Sequence, residues 1–93
     1  MFVRVVRFTD VTAERVESLV ATMDETGPPP GVAIEKLQLV FDEAQGTAVV
    51  LQYFDTEESM RAGAETFAAM DPSETPGRRA SVDTGELKIE RER

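Results

Sequence analysis

The side chains that could carry out chemistry in this chain are few, and Tyr53 is the only phenol among them. The 93 residues include no His, Cys, Trp or Asn. Zinc sites built from thiolate or imidazole, disulfides, Cys nucleophiles and Ser-His-Asp triads are therefore excluded. The Tyr53 hydroxyl could orient or deprotonate a phenolic ligand in a pocket between a sheet and its helices. The competing interpretation is a core aromatic whose hydroxyl reaches the edge of the fold.

Three further polar side chains interrupt apolar strand patterns, namely Arg4, Gln38 and Gln52. A buried guanidinium needs a partner, and a ligand carboxylate or an acid across a dimer would be one for Arg4. The alternative is an intersubunit ion pair without a ligand, or a side chain that extends to solvent. Gln38 and Gln52 are expected on one face, where they would bind a ligand or form polar contacts of an interface. Together with Tyr53, these three residues form the predicted ligand-binding set.

Other candidate groups favour structural roles. Arg78 and Arg79 follow Gly77 and could bind a phosphate or a carboxylate. No glycine-rich phosphate motif accompanies them, so a solvated pair that leads into a strand is favoured. Four large side chains at helical spacing are typical of a core rather than of a cofactor site: Met23, Met60, Phe67 and Met70.

Hydrophobic periodicity predicts six elements in the order β-α-β-β-α-β. The predicted strands are 1–8, 33–41, 47–54 and 81–91, and the helices are 13–25 and a segment that follows 55–56 and ends at 71–72. Gly85, where the apolar parity of the last strand changes, predicts a β-bulge. This order is that of α+β ferredoxin-like folds. Right-handed crossovers then place both helices on one face of a four-stranded antiparallel sheet, with the first and third strands in its middle.

The two central strands carry large apolar side chains on both faces, whereas two short helices can cover only one face. The uncovered set would be Phe2, Val6 and Phe8 or their alternates, with Val40, Val50 and Phe54. A monomer rarely exposes an apolar patch larger than ~300–600 Å². The sequence therefore predicts a homodimer joined sheet to sheet. The alternative is a monomer whose outer face is half polar, through Arg4, Lys36 and the two Gln residues.

The charge and hydropathy of the chain limit its partners. The formal net charge of −8 disfavours phosphate backbones and anionic membranes. The RNA-recognition module shares this strand order but needs basic and aromatic residues on its third strand, and 47–54 contains no basic residue. No apolar run approaches the ~18 residues of a spanning helix, and no signal-peptide pattern opens the chain. We therefore expect one cytoplasmic domain, residues 1–93, that binds neither nucleic acid nor membrane.

Three stretches resemble the dimeric α/β-barrel superfamily, which includes antibiotic-biosynthesis-type monooxygenases, haem-degrading monooxygenases and stress-responsive barrel proteins. They are FVRVVRF at 2–8, GTAVVLQYFDTEESMRAG at 46–63 and GRRASV at 77–82. The likeness covers nearly the whole chain and is greatest to small actinobacterial-type members. Because these stretches are structural, the resemblance implies the fold and the dimer rather than an activity.

The residue types that the chain lacks separate it from particular members of this superfamily. The haem-degrading members rely on an Asn, a Trp and an axial His, and this chain has none of them. The quinone-forming members oxidise polyphenols without a cofactor through pocket Tyr, Trp, Asn and Arg, for which only Tyr53 and the arginines could substitute. Two functions stay open: a homodimeric barrel that binds a small apolar or aromatic molecule, and a cofactor-independent monooxygenase of a phenolic, polyketide-like substrate. The missing residue types favour the first, and neither function requires a cofactor or a metal.

Overall fold

The computed structural model describes residues 1–27, 32–69 and 75–92, and its sheet confirms the predicted ferredoxin-like architecture. The elements are β1 (Phe2–Thr9), α1 (Ala13–Thr26), β2 (Lys36–Asp42), β3 (Thr47–Phe54), α2 (Glu57–Ala68) and β4 (Arg78–Glu86). All strand pairs are antiparallel, in the order β2-β3-β1-β4, so the first and third strands are central. Met70 and the predicted helix end at 71–72 lie outside the described residues. No helix within the described ranges is both long and apolar enough to cross a membrane.

Both helices begin at a threonine whose hydroxyl accepts a hydrogen bond from the first turn. The hydroxyls of Thr12 and Thr56 each accept from the backbone N–H three residues further on, at 3.2 and 3.1 Å. These bonds satisfy donors that the first turn of a helix leaves without intrahelical partners. Thr12 and Thr56 are therefore the N-cap residues of α1 and α2. α1 extends one residue beyond the predicted 25, to Thr26, and Gly27 is its C-cap.

The side chains of the sheet divide between two sides, which the strand register defines. The helix-facing side carries Phe2, Arg4, Val6 and Phe8 of β1, Leu37, Leu39 and Phe41 of β2, and Ala48, Val50, Gln52 and Phe54 of β3. The open side carries Val3, Val5 and Arg7 of β1, Lys36, Gln38 and Val40 of β2, and Val49, Leu51 and Tyr53 of β3. The face left uncovered by the helices is therefore the alternate one. Of the six side chains that the sequence analysis first assigned to the uncovered face, only Val40 lies on the open side. Both faces of the central strands are apolar, so the alternation of residue types could not show which face the helices cover.

The core lies on the helix-facing side and is divided into two clusters. One consists of Val6, Phe8, Val11, Ala48 and Val50, and the other of Val32, Phe54 and Met60. α2 buries Met60 and Gly63, so it is packed closely against the sheet. α1 buries none of its residues completely. The apolar stripe of α1, which consists of Val16, Leu19, Val20 and Met23, therefore borders a space above the sheet rather than sealing it.

The bulge in β4 lies at Ala80 and not at the predicted Gly85. The register between β1 and β4 shifts opposite Ala80, whereas Gly85 pairs regularly with Val3. Val82 and Leu87 are an odd number of positions apart, so an uninterrupted strand already places them on opposite sides. The parity change that suggested a bulge at Gly85 needs none. β4 also starts and ends earlier than the predicted 81–91, and β2 begins at Lys36 rather than at 33.

Gly77 is buried just before β4, where the chain passes close to the end of β1. A Cβ atom at this position would lie 2.4 Å from the carbonyl oxygen of Thr9 and 2.8 Å from a methyl group of Val11. Backbone cannot move aside as a flexible side chain can, so we expect Gly77→Ala to lower the free energy of unfolding by about 1–3 kcal/mol. A shift of the urea midpoint at unchanged slope would measure this loss. Gly85→Ala is the control, because its Cβ would meet nothing within 4 Å. Equal losses in the two variants would contradict this account.

Candidate ligand-binding site

A cavity of about 1110 Å³ lies between α1 and the helix-facing side of the sheet. Apolar side chains form most of its lining, including Val6, Phe8, Leu19, Met23, Leu37, Leu39 and Val50. Pockets for small molecules are typically ~300–1,000 Å³ and largely apolar, with a few placed polar groups. The cavity follows from the position of α1, whose stripe residues approach the sheet without being buried against it.

Arg4 lies in the floor of this cavity and is only 3% exposed. Its Nη1 donates to Oε1 of Gln52 at 2.8 Å, and its guanidinium carbon lies 5.4 Å from the centroid of the Phe67 ring. The Nε atom is buried without a hydrogen-bond partner. Burial lowers the pKa of Arg4, and the nearby charge of Arg79 lowers it further. Of the two interpretations of Arg4, the structure shows the buried guanidinium rather than a side chain that extends to solvent, and Gln52 is its polar neighbour.

Tyr53 and Gln38 form a separate pair on the open side. The Tyr53 hydroxyl donates to Oε1 of Gln38 at 2.8 Å, and Nζ of Lys36 lies 5.1 Å from the centre of the Tyr53 ring. Tyr53 borders a shallower depression of about 420 Å³ together with Val3, Val5, Leu51 and residues 83–89. It does not line the cavity beneath α1. The expectation that its hydroxyl would face a pocket between sheet and helices is wrong.

The predicted set therefore splits into two pairs on opposite sides of the sheet. Gln52 pairs in register with Leu37, so it shares the helix-facing side with Leu37, and Gln38 points the other way. The expectation that Gln38 and Gln52 share one face is wrong for this reason. Arg4 and Gln52 line the cavity, whereas Gln38 and Tyr53 do not.

The rim of the cavity carries groups whose positions the sequence did not predict. Arg78 and Arg79 are exposed, as expected of a solvated pair, yet both border the cavity. Ser18 and Thr22 of α1 also border it, and the Thr22 hydroxyl donates to the Ser18 carbonyl at 3.0 Å. In the sequence, Ser18 and Thr22 could have been recognised as two small polar residues beside the apolar stripe of α1. The described residues contain no cluster of acidic side chains that could hold a metal ion.

The fold is similar to those of three solved structures. Rv0793 from Mycobacterium tuberculosis is 14% identical, with 96% of each chain covered and a TM-score of 0.59. A putative antibiotic biosynthesis monooxygenase from Chloroflexus aurantiacus J-10-fl is 12% identical, with 98% of this chain and 96% of that chain covered and a TM-score of 0.59. A further structure named an antibiotic biosynthesis monooxygenase is 11% identical, with coverage of 98% and 100% and the same TM-score. No family model and no curated protein matches the sequence. At these identities the similarity shows the fold alone, which this chain shares with two structures named antibiotic biosynthesis monooxygenases.

Proposed function

We propose that this chain, which has the fold of antibiotic biosynthesis monooxygenase-like proteins, is a homodimeric binding protein for a small apolar or aromatic molecule. The observation that carries the proposal is the cavity of about 1110 Å³ beneath α1, with its mostly apolar lining. Protein interiors are normally close-packed, and voids larger than a water molecule are few. A bound molecule would supply the packing that α1 does not obtain from the sheet.

The binding function is tested with a neutral aromatic probe, N-phenyl-1-naphthylamine, whose fluorescence rises in apolar surroundings. Leu19 of α1 lines the cavity, and its neighbour Val20 is 43% exposed and does not. We expect Leu19→Trp to narrow the cavity and weaken probe binding at least about tenfold, which corresponds to about 1.4 kcal/mol. Val20→Trp should bind the probe as the unmodified protein does. Failure of the unmodified protein to bind the probe, or equal affinities in the two variants, would count against the cavity as the binding site.

The open side supports the homodimer. Its central strands present Val3, Val5, Val49 and Leu51, which are only partly buried, and two more apolar side chains extend the surface, Val40 at 58% and Ile89 at 66% exposed. The Tyr53–Gln38 pair and Lys36 supply polar groups at the margin, as is usual at the rim of an interface. A second copy that covers this surface would leave the cavity free, because the two lie on opposite sides of the sheet. A solution mass near 10.3 kDa at micromolar concentration would overturn the dimer.

Two neighbours of the same fold are named as antibiotic biosynthesis monooxygenases, which makes cofactor-independent oxidation of a phenolic substrate the alternative function. The cavity favours binding over this alternative, because its described lining contains no phenol to orient or deprotonate such a substrate. Oxygen uptake with an anthrone separates the two functions. Uptake above the uncatalysed rate would favour the enzyme.

A further inference from the structure

Arg4 is a buried cation that forms no ion pair with a described carboxylate. The ion pairs among the described residues, Arg61–Glu57 and Lys88–Glu86, are both exposed, and none of their residues lines the cavity. Acidic residues outnumber basic ones by 18 to 10. Asp10 is the one acid among the described residues that line the cavity, and it forms no ion pair with Arg4. A buried, unpaired charge is costly, and such groups usually have a partner in the functional state.

The hydrogen-bonding capacity of Arg4 is largely unused. A guanidinium has five N–H donors, and among the described residues only Nη1 of Arg4 makes a hydrogen bond, to Gln52. The ring of Phe67 contributes a cation–π contact but accepts no conventional hydrogen bond. A guanidinium can donate two parallel hydrogen bonds to a planar acceptor that has two oxygens, and a carboxylate is the commonest such acceptor.

A second copy of the chain would not supply the missing acid. Arg4 lies on the helix-facing side, beneath Phe67 of α2, whereas the proposed dimer forms through the open side. The acceptor must therefore enter through the cavity that Arg4 lines.

The described lining of the cavity also includes Arg15, Arg78 and Arg79, and the bulge in β4 decides the position of Arg79. Because the register shifts at Ala80, Arg79 lies opposite Phe8, whose side chain faces the helices. Without the extra residue, Arg79 would share the open side with Ser81 and Asp83. The bulge thus directs an exposed arginine to the rim of the cavity that already holds a buried one, and two neighbouring cations favour an anion between or beside them.

We infer that the ligand is an apolar organic carboxylate, whose charged group is bound by Arg4 in the cavity floor with Arg79 at the rim and whose body lies among the apolar lining residues. This inference rests on the proposed binding function and narrows it to a ligand class. The apolar part of the cavity accounts for affinity, and the two arginines account for selectivity against neutral molecules of the same shape.

The test compares 2-naphthoate with 2-naphthamide, which share one aromatic body and differ in charge, by isothermal titration calorimetry at low ionic strength. We expect naphthoate to bind at least about tenfold more tightly than the amide, because a hydrogen bond to a charged group is worth more than a neutral one. Arg4→Gln and Arg79→Gln should each weaken naphthoate at least about tenfold and leave the amide within about twofold. Arg61→Gln, an exposed arginine of α2 that does not line the cavity, is the matched control and should change neither affinity.

Each outcome decides one of the two proposals. Equal affinity of the unmodified protein for naphthoate and naphthamide overturns the carboxylate ligand but leaves the binding function intact. A preference for naphthoate that survives in both arginine variants overturns the assignment to Arg4 and Arg79. Absence of binding by both naphthalenes and by N-phenyl-1-naphthylamine overturns the binding function itself. Circular dichroism checks the fold of Arg4→Gln, and the exposed Arg79 provides the second variant should that protein not fold.

Discussion

Replacement of Phe54 by alanine is expected to lower the free energy of unfolding by about 3–5 kcal/mol. Phe54 ends β3 and is 0% exposed, one of the two largest fully buried side chains. It packs with Val32 and Met60, and Phe67 adds a further contact from α2. α2 is the helix that packs closely against the sheet. The void left by removal of this ring would therefore weaken the packing of α2 as well as the core. A small domain has only about 5–15 kcal/mol of stability, so the loss would be a large fraction of it.

Urea unfolding followed by circular dichroism measures this loss, at one protomer concentration for all variants, because dimerisation would add a concentration dependence. Gly63 supplies an internal check on the role of the ring. A Cβ atom at Gly63 would lie 2.8 Å from Cε1 of Phe54, so Gly63→Ala should destabilise the native core but not a protein that already carries Phe54→Ala. The two substitutions should therefore be non-additive. A loss below about 1 kcal/mol for Phe54→Ala, or strict additivity, would contradict the packing described here.

Leu51→Glu is expected to convert the proposed dimer into a monomer of 10.3 kDa. Leu51 lies in the middle of the open side, paired with Val5 of β1 and Gln38 of β2. A carboxylate there would be desolvated at the centre of the interface, in a protein whose protomers already repel through a net charge of −8. We expect the dissociation constant to rise by at least about a hundredfold, on the basis of ~2–5 kcal/mol for an unpaired charge in an interface.

Light scattering or analytical ultracentrifugation at micromolar concentration measures the mass. Val20→Glu is the matched control, because Val20 is a partly exposed aliphatic residue on α1, away from the open side, and its substitution should leave the mass unchanged. Since Leu51 contributes to neither core cluster, the monomeric variant should keep its circular dichroism spectrum and its affinity for the naphthalene probes. An unchanged dimer in Leu51→Glu would show that the interface lies elsewhere on the molecule.

Several features of this fold follow from interactions between near neighbours in the chain, and these could be predicted. Thr12 and Thr56 cap helices because a β-hydroxyl can reach the N–H three residues on. Gly46 closes the turn between β2 and β3 at a φ of 67°, which glycine adopts without steric cost. The strand order then follows from short connections and right-handed crossovers. Arg4 could be identified as a buried cation because apolar residues surround it in sequence.

The side on which each functional group lies depends on pairings between distant residues. The alternation of β1 and β3 is apolar on both faces, so it could not show that Phe54 faces α2 and Leu51 faces away. Gln38 and Gln52 lie on opposite faces of the sheet because Gln52 pairs with Leu37. A register shifted by one residue would have placed both on the same face. Neither the side chain of Ala80 nor its turn preference indicates a bulge. The unpaired position at Ala80 nevertheless directs Arg79 toward the cavity.

By itself, the sequence determined the element order, the helix caps, the charge balance and the residue types available for chemistry, because these depend on composition and on neighbours a few positions apart. Only the tertiary structure decided that α1 stands away from the sheet and leaves a cavity, that Arg4 lines its floor without an ion pair among the described residues, and that Tyr53 lies on the other side. The distance between a helix and a sheet is set by the sum of many contacts among residues far apart in the chain, and no local pattern encodes that sum.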